Sequence, residues 1–304
     1  MNLIFRMDQN NSSRRKFLQS AGILAAGSVL GSELNLTQKL TNLQLTNQPT
    51  EDLKLKTVIK PARLKPGDTI AITSPAGALW DDGKTVTSFT KILEGFGFKI
   101  KLGKTLTEKF GYFAGSDELR AKELNEFFAD KTVKGIFCAK GGWGCARLLE
   151  KIDFALIEKN PKVLIGFSDI TVLLNAIYAK TGLITFHGPV GNSGWNDFTT
   201  NSFKSVIMNA EKTIFPVGPK EEDKPMTLAK GTASGILLGG NLTVLTGIIG
   251  SKFLPEWKNK ILFLEEAKEE PYSVDRMLTQ MKLAGILKNI SGFVFGKCTK
   301  CDAE

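Results

Sequence analysis

The chain has 304 residues, 42% of them hydrophobic, with 30 glycines and 11 prolines. That composition excludes a disordered or collagen-like chain and supplies enough apolar material for two domain cores. The formal charge of +9 does not point to nucleic acid, because the lysines are scattered singly and in pairs, not in a basic stripe interleaved with stacking aromatics. A solvated basic surface is expected, one that also speeds encounters with anionic partners.

In chain order, Ser13-Arg14-Arg15-Lys16-Phe17-Leu18 leads into an apolar, small-residue run at 21–30, the pattern of a twin-arginine export signal. The alternative is a short amphipathic N-terminal helix. Crossing a bilayer takes about 20 apolar residues, so the run at 21–30 is too short to span; the signal is expected over residues 1–32, with no stable membrane span after its processing. The expected location is the periplasm. No Ala-x-Ala stands near 26–32, which leaves an uncleaved signal acting as an anchor as the other outcome, and no cysteine follows to carry a lipid. Residues 33–60 read as a tether, and Lys65-Pro66-Gly67-Asp68 as the turn that opens the fold.

From residue 69 the signals alternate: strand 70–72, helix 86–96, strand 99–102, helix 116–129 with Ser116 as its cap, strand 135–139, helix 144–151, strand 163–166 and helix 170–180. Alternation of this kind predicts an α/β fold, a mostly parallel doubly wound sheet over residues 61–200. Prolines 216 and 219 and the charged run 220–224 mark a linker, set at 201–230. A second, smaller and incomplete α/β domain is expected over 231–304, with strands at 232–238, 261–264 and 292–295 and helices at 241–249 and 274–284.

Ligands gather at the carboxyl ends of parallel strands, so the loops there carry the functional reading. Val163 to Thr171 runs strand, sharp turn, helix, with Ser168 at the turn. The serine stands above the sheet edge and the Asp169 amide is free to donate to an oxyanion. Ile170 departs from Gly-x-Ser-x-Gly, and Ser168 as a plain helix N-cap is the competing reading. A second loop, Lys140-Gly141-Gly142-Trp143-Gly144, lets backbone amides approach a substrate. It fits neither dinucleotide nor Walker spacing, and its glycines could instead serve only a tight turn. In the acyl-transfer reading, Gly141 or Gly142 supplies the second oxyanion amide.

These loops belong to an ordered set of blocks. They are Ala71-Ile72-Thr73-Ser74-Pro75-Ala76-Gly77, Gly141-Gly142-Trp143-Gly144, Gly166-Phe167-Ser168-Asp169-Ile170-Thr171, His187-Gly188-Pro189, Gly239-Gly240-Asn241-Leu242, Leu262-Phe263-Leu264-Glu265-Glu266 and Pro271-Tyr272-Ser273-Val274-Asp275-Arg276-Met277-Leu278. In that order the sequence resembles the LD-carboxypeptidases (muramoyltetrapeptide carboxypeptidases), relatives of the microcin C self-immunity serine peptidases. The resemblance implies a Ser, Glu, His triad with Ser168 as nucleophile and the first acid of the Leu-Glu-Glu block, Glu265, as orienting carboxylate. By strand alternation Glu266 points the other way. Oxyanion donors would be the amides of Asp169 and Gly142. Expected is removal of the terminal D-Ala from a murein tetrapeptide, with no cofactor, metal or nucleic acid. A non-catalytic peptidoglycan-peptide binder and a peptidase acting on peptide-nucleotide antibiotics are the alternatives. A homodimer is compatible with the sequence, which does not decide it.

His187 is the one histidine, and in the family the His-Gly-Pro block is separate from the triad histidine, which sits in a later Gly-His segment. The sequence reading therefore expects a C-terminally truncated chain, impaired without its base; a buried structural histidine is the expectation for His187. Lys140 departs from the arginine common before the family's glycine loop. Asp275-Arg276 could hold a substrate carboxylate or form a salt bridge. Cys298-x-x-Cys301 is too few ligands for structural zinc, and four cysteines allow three disulfide pairings that sequence does not choose between.

Overall fold

A computed structural model describes residues 57–214 and 225–301 of the chain. The twin-arginine segment, most of the expected tether and the charged run 220–224 lie outside the described residues. The elements run β1 (Thr69–Thr73), α1 (Lys84–Gly95), β2 (Lys99–Leu102), α2 (Asp117–Ala129), β3 (Val133–Cys138), α3 (Phe154–Lys159), β4 (Val163–Gly166), α4 (Thr171–Thr181), β5 (Phe186–His187) and α5 (Asp197–Phe203). After residue 225 come β6 (Ile236–Asn241), α6 (Leu242–Thr246), β7 (Lys260–Ala267), α7 (Pro271–Leu283), α8 (Ile286–Asn289) and β8 (Gly292–Thr299).

Five strands pair in the order β2-β1-β3-β4-β5, every pair parallel. The strand period of two divides their side chains between two layers. Ile70, Ile72, Phe137, Val163 and Ile165 pack with Phe89 and Leu93 of α1 on one face. Ala71, Ile136, Cys138 and Leu164 pack with Leu124 and Phe128 of α2, Ile157 of α3 and Leu173 and Ile177 of α4 on the other. Each fully buried Leu, Ile or Phe contributes about 1.5–3 kcal/mol, so the sheet holds because both faces are covered. Helix α2 starts where expected: Ser116 accepts from the Leu119 amide at 3.2 Å, with Asp117 and Glu118 in the first turn, favourable at the positive end of the helix dipole.

Three expectations change. The stretch after the glycine loop is a 3-10 helix, Cys145–Lys151, in place of an α-helix. Residues 197–208, placed partly in the linker, are helical, through α5 and a π-turn at Lys204–Met208. Phe203 and Ile207 are buried there beside Trp195 and Phe96, so burial overrides the weak period of this polar stretch. Finally, Ile59, at the end of the expected tether, bridges Leu183, donating its amide to Gly182 O at 2.9 Å.

The second sheet, β6-β7-β8, is also parallel. It joins the first at the start of α4. The Asn241 amide donates to Thr171 Oγ1 at 3.1 Å, and Asn175 Nδ2 donates to Gly239 O at 2.8 Å. A side chain at Gly240 would stand 2.6 Å from Thr171 Oγ1, so the bare glycine lets β6 press onto the helix that follows Ser168. No helix among the described residues is long and apolar enough to cross a membrane.

Candidate active site

In this strand order the chain reverses direction across the sheet between β1 and β3, and crevices open above such switch points. The loops after β1, β3 and β4 meet there. Gly77 donates its amide to Gly141 O at 3.2 Å, and a Cβ on Gly142 would lie 3.0 Å from Gly77 Cα. Against this pair stands Ser168: a Cβ on Gly141 would be 2.8 Å from Ser168 Cβ and 3.1 Å from its Oγ. Only glycine backbone can come this close to the hydroxyl.

Ser168 has φ of 61°, a left-handed conformation that a serine adopts at a cost of order 1–3 kcal/mol. Phe167, still extended, holds the cap position of the 3-10 turn Ser168–Ile170, and no side chain caps it. The plain N-cap reading of Ser168 is thereby excluded. The residue is half-buried, and its hydroxyl has no hydrogen-bond partner among the described residues. The departure at Ile170 also has a reason, since a Cβ on Gly166 would meet Ile170 Cγ2 at 2.8 Å: the first glycine of the turn makes room for the isoleucine. Next to the serine, Asp169 is buried and accepts the Cys145 amide through Oδ2 at 2.8 Å. Burial, the largest cause, raises its pKa from the ordinary aspartate value, and the Cys145 hydrogen bonds and the Arg120 charge oppose that shift. Gly142, with φ of 124°, follows Gly141 and lies against Gly77, and the Asp169 amide lies in the first turn of its 3-10 helix, where amides lack intrahelical acceptors.

The two acids of β7 part as alternation predicts. Glu266 is buried and accepts Asn241 Nδ2 at 2.9 Å, the Thr243 amide at 2.8 Å and the Ala267 amide at 2.9 Å. It anchors the start of α6, with three of its acceptor positions taken by these donors. Glu265, on the opposite side, pairs in register with Asn241, and its buried Oε1 has no partner. Burial first, and the Glu266 charge second, raise its pKa, with the nearby Asn241 pulling it back. A raised carboxyl pKa favours the folded state in acid, and that benefit is lost as pH rises through the folded value. Glu265→Gln is therefore expected to raise Tm at pH 8 and to lose that gain on acidification below the ordinary glutamate range. A Tm that falls at pH 8 would show that the Glu265 carboxylate stabilises the fold.

The structure thus brings Ser168, Asp169, Gly141 and Gly142 together and sets Glu265 one strand beyond the Asn241–Thr171 contact. No hydrogen bond joins Glu265 or His187 to Ser168 among the described residues. His187 ends β5 with its ring against Phe167 and Phe263, at centroid separations of 6.1 and 5.4 Å. The residue as a whole is exposed, so the expectation of a buried histidine is corrected, yet desolvation of the ring against these neighbours lowers its pKa to about 4. Lys140 donates to Ala78 O at 3.1 Å and so braces the loop after β1. Arg276 lies over the Tyr272 ring and donates to Ser273 Oγ at 3.4 Å, without an ion pair to Asp275. Cys298 and Cys301 form a disulfide, and no cluster able to hold a metal occurs among the described residues. Sequence reading missed Arg120, which is fully buried and binds Pro75 O and Gly144 O. The available signal was its place four and eight residues before Leu124 and Phe128, on the apolar stripe of α2.

Comparison with known proteins gives this geometry a lineage. Residues 70–188 match the LD-carboxypeptidase N-terminal domain and residues 234–304 the C-terminal domain. A Bacillus subtilis (strain 168) protein called a probable murein peptide carboxypeptidase is 42% identical over 81% of this chain and 77% of its own length. The chain belongs to the LD-carboxypeptidase family. Another relative, the Escherichia coli microcin C7 self-immunity protein MccF, is 33% identical over 78% of this chain and 77% of itself. Among solved structures, the muramoyltetrapeptide carboxypeptidase of Oxalobacter formigenes superposes with a TM-score of 0.69, at 30% identity and 78% coverage of both chains. Membership makes this LD-carboxypeptidase relative a peptidase, and it agrees with the parallel-sheet α/β architecture described above.

Proposed function

We propose that this protein is a serine-type LD-carboxypeptidase that removes the terminal D-Ala from murein tetrapeptides after export by the twin-arginine route to the periplasm. The observation that carries the reading is Ser168, held at positive φ with a free hydroxyl against the Gly141 backbone. In this reading Ser168 attacks the carbonyl before D-Ala, and the Gly142 and Asp169 amides hold the oxyanion. Glu265 orients the base through its unpartnered oxygen. The base itself must reach the hydroxyl within about 3 Å; the family resemblance assigns that task to a histidine after Glu265, separate from His187.

The test is release of D-Ala from L-Ala-γ-D-Glu-diaminopimelyl-D-Ala by the purified full-length protein, carrying the histidine that the family resemblance places after Glu265, read by a D-amino-acid oxidase couple. Release in wild type and in His187→Ala supports the reading. No release in either overturns it, and loss confined to His187→Ala would make His187 the base. The similarity to MccF favours a second reading, cleavage of peptide-nucleotide antibiotics. An aminoacyl sulfamoyl adenosine, with hydrolysis read as free sulfamoyl adenosine by chromatography, separates the two, and tight tetrapeptide binding without turnover would mark a peptidoglycan-peptide binder.

A further inference from the structure

The peptide group between Gly144 and Cys145 is held at both ends. In a trans peptide the C=O and N–H point in opposite directions. Here the carbonyl, Gly144 O, accepts Arg120 Nη1 at 3.3 Å, and the amide, Cys145 N, donates to Asp169 Oδ2 at 2.8 Å. Both charged groups are buried, Arg120 with no exposed surface at all. The same Nη1 donates to Pro75 O at 2.6 Å, in the loop after β1, and Nη2 meets Asp117 Oδ1 at 2.5 Å. Asp117 is fixed in turn by Arg147 Nε at 2.9 Å, from the 3-10 helix that follows the glycine loop. Phe113 completes the seat: the Arg120 guanidinium lies 4.8 Å from its ring centre, and a Cβ on Gly144 would strike the ring at 2.4 Å.

We propose that Arg120 and Asp169 are positioning residues, which clamp the Gly144–Cys145 peptide group between them and thereby fix the spacing of the glycine loop from the Ser168 turn. The inference rests on the reading of Ser168 as nucleophile. It adds what keeps the oxyanion amides in place: one cation ties the loops after β1 and β3, and one anion ties the β3 loop to the residue next to the serine. Hydrogen bonds to charged groups are stronger than neutral ones, and a buried charge tolerates little displacement from its partners. The ties are therefore stiff where stiffness matters.

Hydrogen exchange at the Cys145 amide reports the clamp directly, and turnover reports its consequence. In full-length Asp169→Ala, exchange at Cys145 is expected to quicken by at least about tenfold, with Asp169→Asn, which keeps an acceptor oxygen, between it and wild type. The kcat for D-Ala release should fall about a hundredfold, the size of loss that a 1 Å misplacement brings, while KM stays within about twofold. Arg120→Lys should recover part of the kcat that Arg120→Met loses. Unchanged Cys145 exchange in both Asp169 variants, or a loss confined to KM, would overturn the proposal. If wild type releases no D-Ala while exchange responds as described, the proposed function fails and the clamp stands.

Discussion

In the full-length protein, Ser168→Ala is expected to reduce D-Ala release by a factor on the order of 10⁴ or more, the loss seen when a serine nucleophile is removed from a working triad. Binding of the tetrapeptide should persist, because alanine leaves the glycine wall and the Asp169 contact in place. The turn imposes φ of 61° on residue 168, a conformation that alanine tolerates about as poorly as serine, so the backbone stays comparable and the readout isolates the hydroxyl. A thermal scan beside the assay checks this: a Tm close to wild type with activity gone supports the assignment. Undiminished release would place the nucleophile elsewhere.

The second large effect is on stability. Glu123 reaches from α2 under the end of β1, where Oε1 accepts Thr73 Oγ1 at 2.7 Å and Thr105 Oγ1 at 2.6 Å, and Oε2 accepts the Thr105 amide at 3.1 Å. Thr105 Oγ1 also accepts the Ser74 amide at 2.9 Å, so the loop that carries Gly77 hangs from this carboxylate. All four residues are buried. Glu123→Ala leaves buried donors without partners at a cost of about 3 kcal/mol. For a domain of this size that lowers Tm by roughly 6–12 °C. A fall of under about 2 °C would mean that the two threonine hydroxyls, 3.2 Å apart, satisfy each other and that the carboxylate is dispensable.

Much of this was legible in sequence because it is local. The alternation Ile70, Ala71, Ile72 declares a strand covered on both faces, Ser116 declares a helix start, and Gly166 with Ser168 declares a strand-to-helix corner. Glu265 and Glu266 separate by parity alone, so the strand told which carboxylate faces which side. Partners did not follow from local signals. That Glu266 anchors the start of α6 depends on Asn241 and Thr243, more than twenty residues earlier in the chain. The short elements α3, α5 and β5 were missed because six, seven or two residues carry too little period to register; tertiary burial of Ile157 and Phe203 decides the two helices, and pairing with β4 decides β5. Arg120 shows the same limit in the site: its spacing put it on the apolar side of α2, but only the fold brings two carbonyls to its guanidinium.

Of the four cysteines in the sequence, Cys298 and Cys301 are joined, and the other two, Cys138 and Cys145, are sealed in the first domain. Burial pushes both thiols far above their usual titration range, and thiolate is the form that alkylates, oxidises or exchanges. Neither can scramble with the C-terminal bridge while the domain is closed. Iodoacetamide uptake at these two positions then becomes a clock for whole-domain opening, ticking only when the sheet comes apart.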